Sequence, residues 1–575
     1  MRSWWRRWPC GLRAGGEPSE KHAILDPYAC RPAPPQQDYT NQLLLAMAAS
    51  LGYLTVGLVR GFSSPGVPSM QQTTPWLVPD DDAVSWVSSV PPLGAFVGSL
   101  ASGPLLQRLG RKRTLMISAP LFVAFWVLLA FSQNYAMLFS ARILTGFCAG
   151  ISIPSAQVYV NESAQARVRG VLGSLPALFM SGGILLAYVL GAWLPWQALA
   201  GACAVPPALL FMSLLPLPES PVWLADRGRH AEAARAMAWL HRDSVFGGDP
   251  AASPEPPMAL TAVKSDGGGV SSGVFTLSDE TPPPYNGTHQ EAAAPEKEKE
   301  KKAPSKGASA AQEGSAFSRR ALLRRPVLIP LALSLALLVF QQLSGIDSVV
   351  FYTVMIFESA GSTLDDHVAT IIVGAVQLLA NVAALFVVDR AGRRPLLLAS
   401  GALMAVSMAA LGAYFNLQEQ NREEGLELLP LASLVVFMLG YSLGYCTLPF
   451  LLMGELLPER QRGPLSSLAG SFNLAFMFVV IKTFHNFQQL LGNDGTFWLY
   501  GAMCLASCAF VWLLVPETRA KSLAEIEQFF EDSNQARKEK RAAAARAVVV
   551  AAAAAGGADV ADGALEKTAQ PAGSS

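Results

Sequence analysis

The chain reads as an all-α membrane protein: twelve membrane-crossing helices in two six-helix halves, with cytoplasmic helices and disordered loop and tail segments beside them. Three observations predict this, namely a composition poor in charge, apolar runs of bilayer length, and charged motifs that recur six runs apart. Of the 575 residues 51% are hydrophobic and only 15% charged, against about a quarter charged in ordinary soluble domains. Mean hydropathy is +0.32. Lys+Arg and Asp+Glu balance at 43 each, so no basic excess points to a nucleic-acid partner. The seven cysteines (10, 30, 148, 203, 446, 504, 508) show no metal-type clustering and mostly sit in apolar runs. That pattern argues against a disulfide scaffold or a zinc module.

A helix needs about 20 mostly apolar residues to cross a bilayer. Runs of that kind occupy 41-62, 83-106, 114-132, 135-159, 171-194, 196-217, 326-352, 367-388, 395-415, 429-453, 464-488 and 497-515. Pro91-Pro92, Pro206-Pro207 and Gly182-Gly183 fall inside them. Such residues break soluble helices, but membrane helices tolerate them because neighbours satisfy the freed backbone groups. The stretch to Gln37 is rich in Trp, Arg and Pro and lacks the apolar core of a signal peptide. The chain thus divides into an N-terminal tail (1-40), a first half (41-217), a loop (218-325), a second half (326-515) and a C-terminal tail (516-575).

Arg and Lys collect in the loops after spans 2, 4, 8 and 10, as Arg108/Arg111/Lys112/Arg113, Arg167/Arg169, Arg390/Arg393/Arg394 and Arg460/Arg462. The loops after spans 1 and 9 carry Asp80-Asp81-Asp82 and Glu419/Glu423/Glu424/Glu427 instead. The positive-inside rule therefore places the even-numbered loops and both termini in the cytoplasm. Within the long loop, Ala225 to His241 reads as an amphipathic helix. From about Phe246 to Ser318 the Pro/Ser/Gly and Lys/Glu tracts cannot bury a core, and disorder is expected, as it is after about Asp532. The glycosylation-type triplets at Asn161 and Asn286 face the cytosol in this topology and read as chance matches.

Gln107-Arg-Leu-Gly-Arg-Lys112 after span 2 recurs as Asp389-Arg-Ala-Gly-Arg-Arg394 after span 8. Glu162 followed by Arg169-Gly170 recurs as Glu455 followed by Arg462-Gly463, and Pro218-Glu-Ser220 recurs as Pro516-Glu-Thr518. Three motifs in one order, each six spans from its copy, mark a duplicated six-helix unit in parallel orientation, the plan of a two-halved transporter. Gly110 and Gly392 suit tight turns, and Arg108, Arg111, Asp389, Arg390 and Arg393 flank them. The flanking Arg residues can pair with Glu162 and Glu455 and with helix C-termini, so charge pairs that form when the halves close on one face can act as a gate. Arg169, Arg462 and the intramembrane Arg142 complete the expected gating set.

Arg108-x-Gly-Arg, Glu162-x6-Arg-Gly, Pro218-Glu-Ser-Pro-x-x-Leu224, Gln341-Gln-Leu-Ser-Gly-Ile346, Asp389-Arg-Ala-Gly-Arg-Arg and Pro516-Glu-Thr-x-x-Lys-Ser-Leu together resemble the sugar porter family of the major facilitator superfamily. The resemblance covers roughly 40-245 and 318-530. Phe62-Ser-Ser-Pro65 and Leu452-Met-Gly-Glu-Leu-Leu-Pro458 are most similar to class III facilitative hexose transporters and insect facilitated trehalose transporters.

A sugar offers many hydroxyls and no charge, so its site needs amides and an aromatic face. Span 7 supplies Gln341, Gln342, Ser344, Asp347 and Tyr352; polar groups at this depth usually line a cavity, and the resemblance implies that the Gln pair contacts sugar. Gly345 permits a helix break there. Gln377 and Asn381 of span 8 share one helix face, and the resemblance makes Gln377 a sugar-contacting amide. Phe450 of span 10 and Asn473 of span 11 complete the expected substrate set. The departures from the family pattern are Asp347 for Asn, Cys446-Thr-Leu-Pro-Phe450 for Gly-Pro-x-Pro-Trp, Leu474 for an aromatic and Ala177 for Gln. Asp347 can accept sugar hydroxyls, titrate, or pair with Arg60, itself an odd cation inside span 1.

Proton-driven relatives carry an Asp in span 1 where this chain has Val59. The expected function is therefore facilitative uniport of a hexose or trehalose-like sugar by alternating access. Proton symport through Asp347, and a sensor that keeps the fold but transports little, are the alternatives. No phosphate loop and no nucleophile-base pair occurs in the sequence, so no enzyme activity and no cofactor are expected. Partners are a small-molecule sugar and the lipid bilayer, with a monomeric carrier expected. The cell membrane is the expected address; Glu20-Lys-His-Ala-Ile-Leu25 only loosely matches an acidic dileucine signal for endosomal or lysosomal membranes.

Overall fold

The computed structural model describes residues 39-165, 167-240, 325-361, 364-422, 425-458 and 461-519, with a few positions between 525 and 547. The tail and insertion readings for 1-38, 241-324 and most of the C-terminal tail lie outside the described residues, as do the side chains of Asp389 and Arg390. The described chain is helical, and eleven continuous apolar segments are long enough to cross a membrane. One of them, Leu465–Leu514, has 50 residues. At 1.5 Å per residue that is about 75 Å, more than twice the hydrocarbon core. Gly492, at φ 75°, breaks the helical dihedrals inside it. Two spans, the eleventh and twelfth, meet there, which gives twelve crossings.

The first six spans are Thr40–Gly61, Asp81–Leu109, Arg111–Ala130, Tyr135–Ser163, Arg169–Gly191 and Trp196–Leu214, the last interrupted at Ala204. The second six begin with Arg325–Leu343 and Ile346–Ala360 as the two parts of span 7. Asp366–Ala391 and Arg393–Glu419 follow as spans 8 and 9, then Leu429–Leu443 and Leu448–Leu456 as the parts of span 10. Several helices outrun the apolar runs that predict them, because polar residues complete turns beyond the bilayer. Span 1 continues through Phe62 into Ser63–Thr73, since Phe62 itself keeps helical dihedrals. The single amphipathic helix expected over Ala225 to His241 is instead two, Pro221–Asp226 and His230–Leu240, with Gly228 at φ 73° between them.

We call the end carrying the Arg-rich loops the basic face, and the end carrying Asp80 to Asp82 the acidic face. Within the first half, spans 1 and 5 pack closely, as do spans 2 and 4. A Cβ at Gly94, Gly98, Gly146 or Gly150 would overlap the carbonyl of Ile143, Phe147, Pro91 or Ala95 respectively, so the backbones of spans 2 and 4 touch directly. Between the halves, span 2 packs on span 11 and span 5 on span 8.

The core divides unevenly along the membrane normal. Toward the acidic face one apolar cluster unites both halves, from Phe62 and Trp126 to Phe357 and Phe484, and within the second half it continues to Leu456 and Val515 beside the basic face. Toward the basic face two clusters stay apart, one around Leu45, Leu115 and Tyr159 and the other around Leu338, Met453 and Leu465. The halves are thus joined at one end and separately packed at the other.

Candidate functional site

The helix of span 7 stops at Ser344-Gly345. Gly345 takes φ 82°, and a Cβ there would stand 2.5 Å from the Tyr500 ring, so only glycine fits. The break sits immediately after the paired amides. Gln341 Nε2 donates to the Tyr445 carbonyl at 2.7 Å, and its Oε1 accepts from Asn473 Nδ2 at 3.2 Å. Gln342 Nε2 donates to Asn473 Oδ1 at 3.2 Å. Spans 7, 10 and 11 are knitted by this network, which brings Gln341, Gln342 and Asn473 together.

Span 8 adds Gln377 and Asn381, both buried. Asn381 Nδ2 donates to Ser181 Oγ at 2.6 Å, a bond from the second half to the first. The first half adds Arg60, whose guanidinium pairs with the Asp347 carboxylate; the Asp347 side chain is 1% exposed and that of Arg60 19%. Asp347 lies in the first turn of Ile346–Ala360, where the helix N-terminus favours negative charge. Arg60 also lines a cavity between the halves with Val56, Pro91, Ala95, Phe351 and Met477. Its volume is about 50 Å³, room for one or two waters. Gln341, Gln342, Asp347, Gln377 and Asn473 are not among the residues that line it. Gln342 Oε1, Gln377 Oε1 and Asn381 Oδ1 are buried and accept no hydrogen bond, which at this depth marks a surface suited to a ligand.

On the acidic side of the cavity the halves are fastened together. Tyr188 donates to the Val350 carbonyl at 2.8 Å, and Val354 N–H donates to Ser64 Oγ at 3.1 Å. Farther out, Lys482 pairs with Asp82 at 2.5 Å and His485 with Asp81 at 3.1 Å. Tyr352 stacks on Phe484 with centroids 5.0 Å apart and lines an outer cavity with Asp81, His485 and Gln488, separate from the one beside Arg60. Phe450 is 41% exposed, outside the buried cluster that holds the amides.

Among the described residues, the ion pairs at the basic face fall inside each half. Arg111 pairs with Glu162 at 2.6 Å, and Arg393 with Glu455 at 3.2 Å. Ser220 donates to Glu162 and Thr518 to Glu455, each at 2.5 Å. Arg169 reaches back to the Ala164 carbonyl, and Arg462 to that of Leu457. Arg108 is exposed. Gly110 at φ 98° and Gly392 at φ 86° make the turns. Beyond each turn a glutamate caps the next helix: Glu219 accepts from the N–H groups of Arg111 and Lys112, and Glu517 from those of Arg393 and Arg394. Burial works against the Glu517 charge, but backbone N–H donors from Arg519, Arg393 and Arg394 hold its carboxyl below the ordinary value. The sequence held a signal for this role, since Glu219 and Glu517 occupy equivalent places in the third duplicated motif. Arg142 stands elsewhere: fully buried, it donates to the Val87 carbonyl at 3.2 Å and to Ser63 Oγ, and its guanidinium lies 5.2 Å from the Phe62 ring centroid. It ties spans 1, 2 and 4 together.

The profile of the family described as "Sugar (and other) transporter" matches residues 45–255 and 285–530. The chain belongs to this family. Among curated members, the facilitated trehalose transporter Tret1 of Drosophila erecta is 38% identical over 494 residues, covering 85% of this chain and 52% of its own length. Tret1 of Polypedilum vanderplanki is 37% identical over 491 residues, covering 85% of this chain and 88% of its own. Against most of the Drosophila Tret1 proteins it matches, the chain spans about half their length. Among solved structures, the inward-open xylose transporter XylE of E. coli superposes with a TM-score of 0.61 at 21% identity, covering 84% of this chain and 98% of that one. The family and this likeness establish the fold as that of a major facilitator sugar transporter, a multi-pass membrane protein.

Proposed function

We propose that the protein is a facilitative carrier that moves a neutral sugar, a hexose or trehalose-like disaccharide, down its gradient by alternating access. One observation carries this reading. Two buried polar contacts, Arg60 of span 1 with Asp347 of span 7 and Asn381 of span 8 with Ser181 of span 5, bridge two halves that share one core toward the acidic face and keep separate cores toward the basic face. Two bundles hinged in this way can open at either end in turn. The positive-inside rule makes the basic face cytoplasmic, so the described state is closed to the outside, and both termini lie inside. The cell membrane is the proposed address. The trehalose assignment rests on the names of the relatives, and the amides, the Arg60–Asp347 pair and the unfilled acceptors supply chemistry suited to hydroxyls.

Uniport fits Val59, which stands where proton-driven members carry an acid, and it fits Asp347, which has a counter-charge in Arg60 and needs no proton for neutrality. The test is counterflow of labelled D-glucose and trehalose by the purified full-length chain in proteoliposomes. Saturable counterflow, flat between about pH 5 and 8 and without proton current, is expected. A proton current stoichiometric with sugar would establish symport; sugar-dependent thermal stabilisation without any flux would establish a sensor.

A further inference from the structure

We propose that Arg60 and Asp347 together form the charge filter of the substrate site. The carboxylate cancels the guanidinium, so the site takes neutral, hydroxyl-rich ligands and rejects anionic sugars such as uronates. This inference rests on the carrier reading above and adds which ligands the site selects.

Among the described residues, Arg60 is the one charged side chain lining the cavity formed with Val56, Pro91, Phe351 and Met477. Alone, a guanidinium in a dry site is a carboxylate or phosphate receptor, and it would draw acidic sugars in preference to neutral ones. Asp347 arrives from the opposite half and neutralises it. The pair nevertheless leaves hydrogen-bonding capacity open. Arg60 Nε has no acceptor, Arg60 Nη1 meets only the Met180 sulfur at 3.8 Å, and Asp347 Oδ2 has no donor.

Other buried acceptors on spans 7 and 8 bias this capacity in one direction. Gln342 Oε1, Gln377 Oε1 and Asn381 Oδ1 also lack donors. Asn381 reaches Ser181, next in sequence to the Met180 that touches Arg60, so the span-8 amides and the pair meet at the same stretch of span 5. Open acceptors outnumber open donors, so a complementary ligand brings O–H groups. A sugar ring carries one donor on every hydroxyl, whereas a carboxylate brings acceptors alone. Adjacent hydroxyls can serve both members of the pair, one donating to Asp347 while its neighbour accepts from Arg60.

The pair also spans the two halves, from span 1 to span 7. Separating it without replacement strands two buried charges. Ligand hydroxyls that take over both ends remove that obstacle, so selection and movement use the same contact.

The experiment compares the full-length protein with Asp347→Asn, Arg60→Gln and the double variant in proteoliposomes. It reads labelled D-glucose and trehalose counterflow and the relative inhibition by D-glucose and D-glucuronate. In the native protein glucose should inhibit at least about tenfold more strongly than glucuronate. Asp347→Asn leaves an uncompensated cation, and the preference should move toward glucuronate by about tenfold or more. Each single variant should lose roughly 30-fold or more in neutral-sugar counterflow, as expected when one partner of a buried pair is removed. Arg60→Gln should still exclude glucuronate, and the double variant should recover counterflow above both singles with neutral preference restored. Equal potency of glucose and glucuronate on the native protein would overturn the proposal. So would an unchanged preference in Asp347→Asn, or a double variant no better than the poorer single. Ligand-dependent thermal stabilisation gives the same glucose-against-glucuronate comparison where a variant folds but does not turn over. Absence of neutral-sugar counterflow by the native protein would sink the carrier reading, while the stabilisation comparison would still judge the filter.

Discussion

The two halves share a plan but differ in construction. In the first, spans 2 and 4 meet backbone to backbone through Gly94, Gly98, Gly146 and Gly150, and spans 1 and 5 do so through Gly57 and Gly183. Such seams leave no room for side chains to re-pack. In the second half, spans 7 and 10 are interrupted at Gly345 and Gly444, and the amides Gln341, Gln342 and Asn473 bond to one another and to freed backbone. Hydrogen bonds of this kind can exchange partners at modest cost; a glycine seam cannot. Duplication has therefore kept the ends alike and let the interiors diverge, one half becoming a stiff block and the other an adjustable binding surface.

The largest effect should come from breaking the stiff half. Gly146→Val places a side chain on the Pro91 carbonyl. Overpacking of this kind costs about 1–3 kcal/mol or more, and most of the monodisperse protein should be lost in size-exclusion chromatography. Gly103→Ala, with open space around it, should behave as native. Next comes the adjustable half. Gln341→Ala removes a donor to Tyr445 and an acceptor for Asn473, and should lower counterflow by about tenfold or more while the protein stays folded. Normal uptake by that variant would take Gln341 out of the site.

A smaller effect tests the likeness of the ends. Glu162→Gln and Glu455→Gln each weaken one Arg pair and one hydroxyl bond in equivalent positions. Both should destabilise by about 1 kcal/mol, and by the same amount, in thermal unfolding; a large inequality would show that the ends have diverged too. Smallest is the pH dependence of the Glu517 cap. Its carboxyl is held below the ordinary value of 4.5 by backbone donors once burial is overcome. Its contribution is therefore complete above that value and lost as pH falls through the lower, folded-state value. Glu517→Gln should flatten the acid limb of the stability profile slightly.

Much of this architecture was legible from residue order. The spans follow from apolar runs, and the duplication follows from Gly110/Gly392, Glu162/Glu455 and Pro218/Pro516 because turn and cap chemistry fixes residue type at those places. The Arg60–Asp347 contact was within reach, since an isolated cation and an isolated anion in apolar spans have few ways to be satisfied. Other features were not legible. The acidic-face ties of Asp81 and Asp82 to His485 and Lys482 join ordinary polar residues some 400 positions apart, and nothing local in either segment specifies the partner. Tyr352 lines the outer cavity and Phe450 is exposed, because helix rotation, which residue order does not fix, decides which way each ring faces. The basic-face pairs Arg111–Glu162 and Arg393–Glu455 close within each half because Glu162 and Glu455 lie at the ends of helices adjacent to their own half's Arg turn.

The central claim is that the pocket is never open at both ends. Spin labels at positions 76 and 490 report the acidic face, and labels at 171 and 468 the basic face, all four sites being exposed. Pulsed-dipolar distances in bilayers with and without sugar should change in opposite senses: whenever the acidic-face pair lengthens, the basic-face pair shortens. Simultaneous lengthening of both pairs, or distances that sugar never moves in a protein that transports it, would contradict the account.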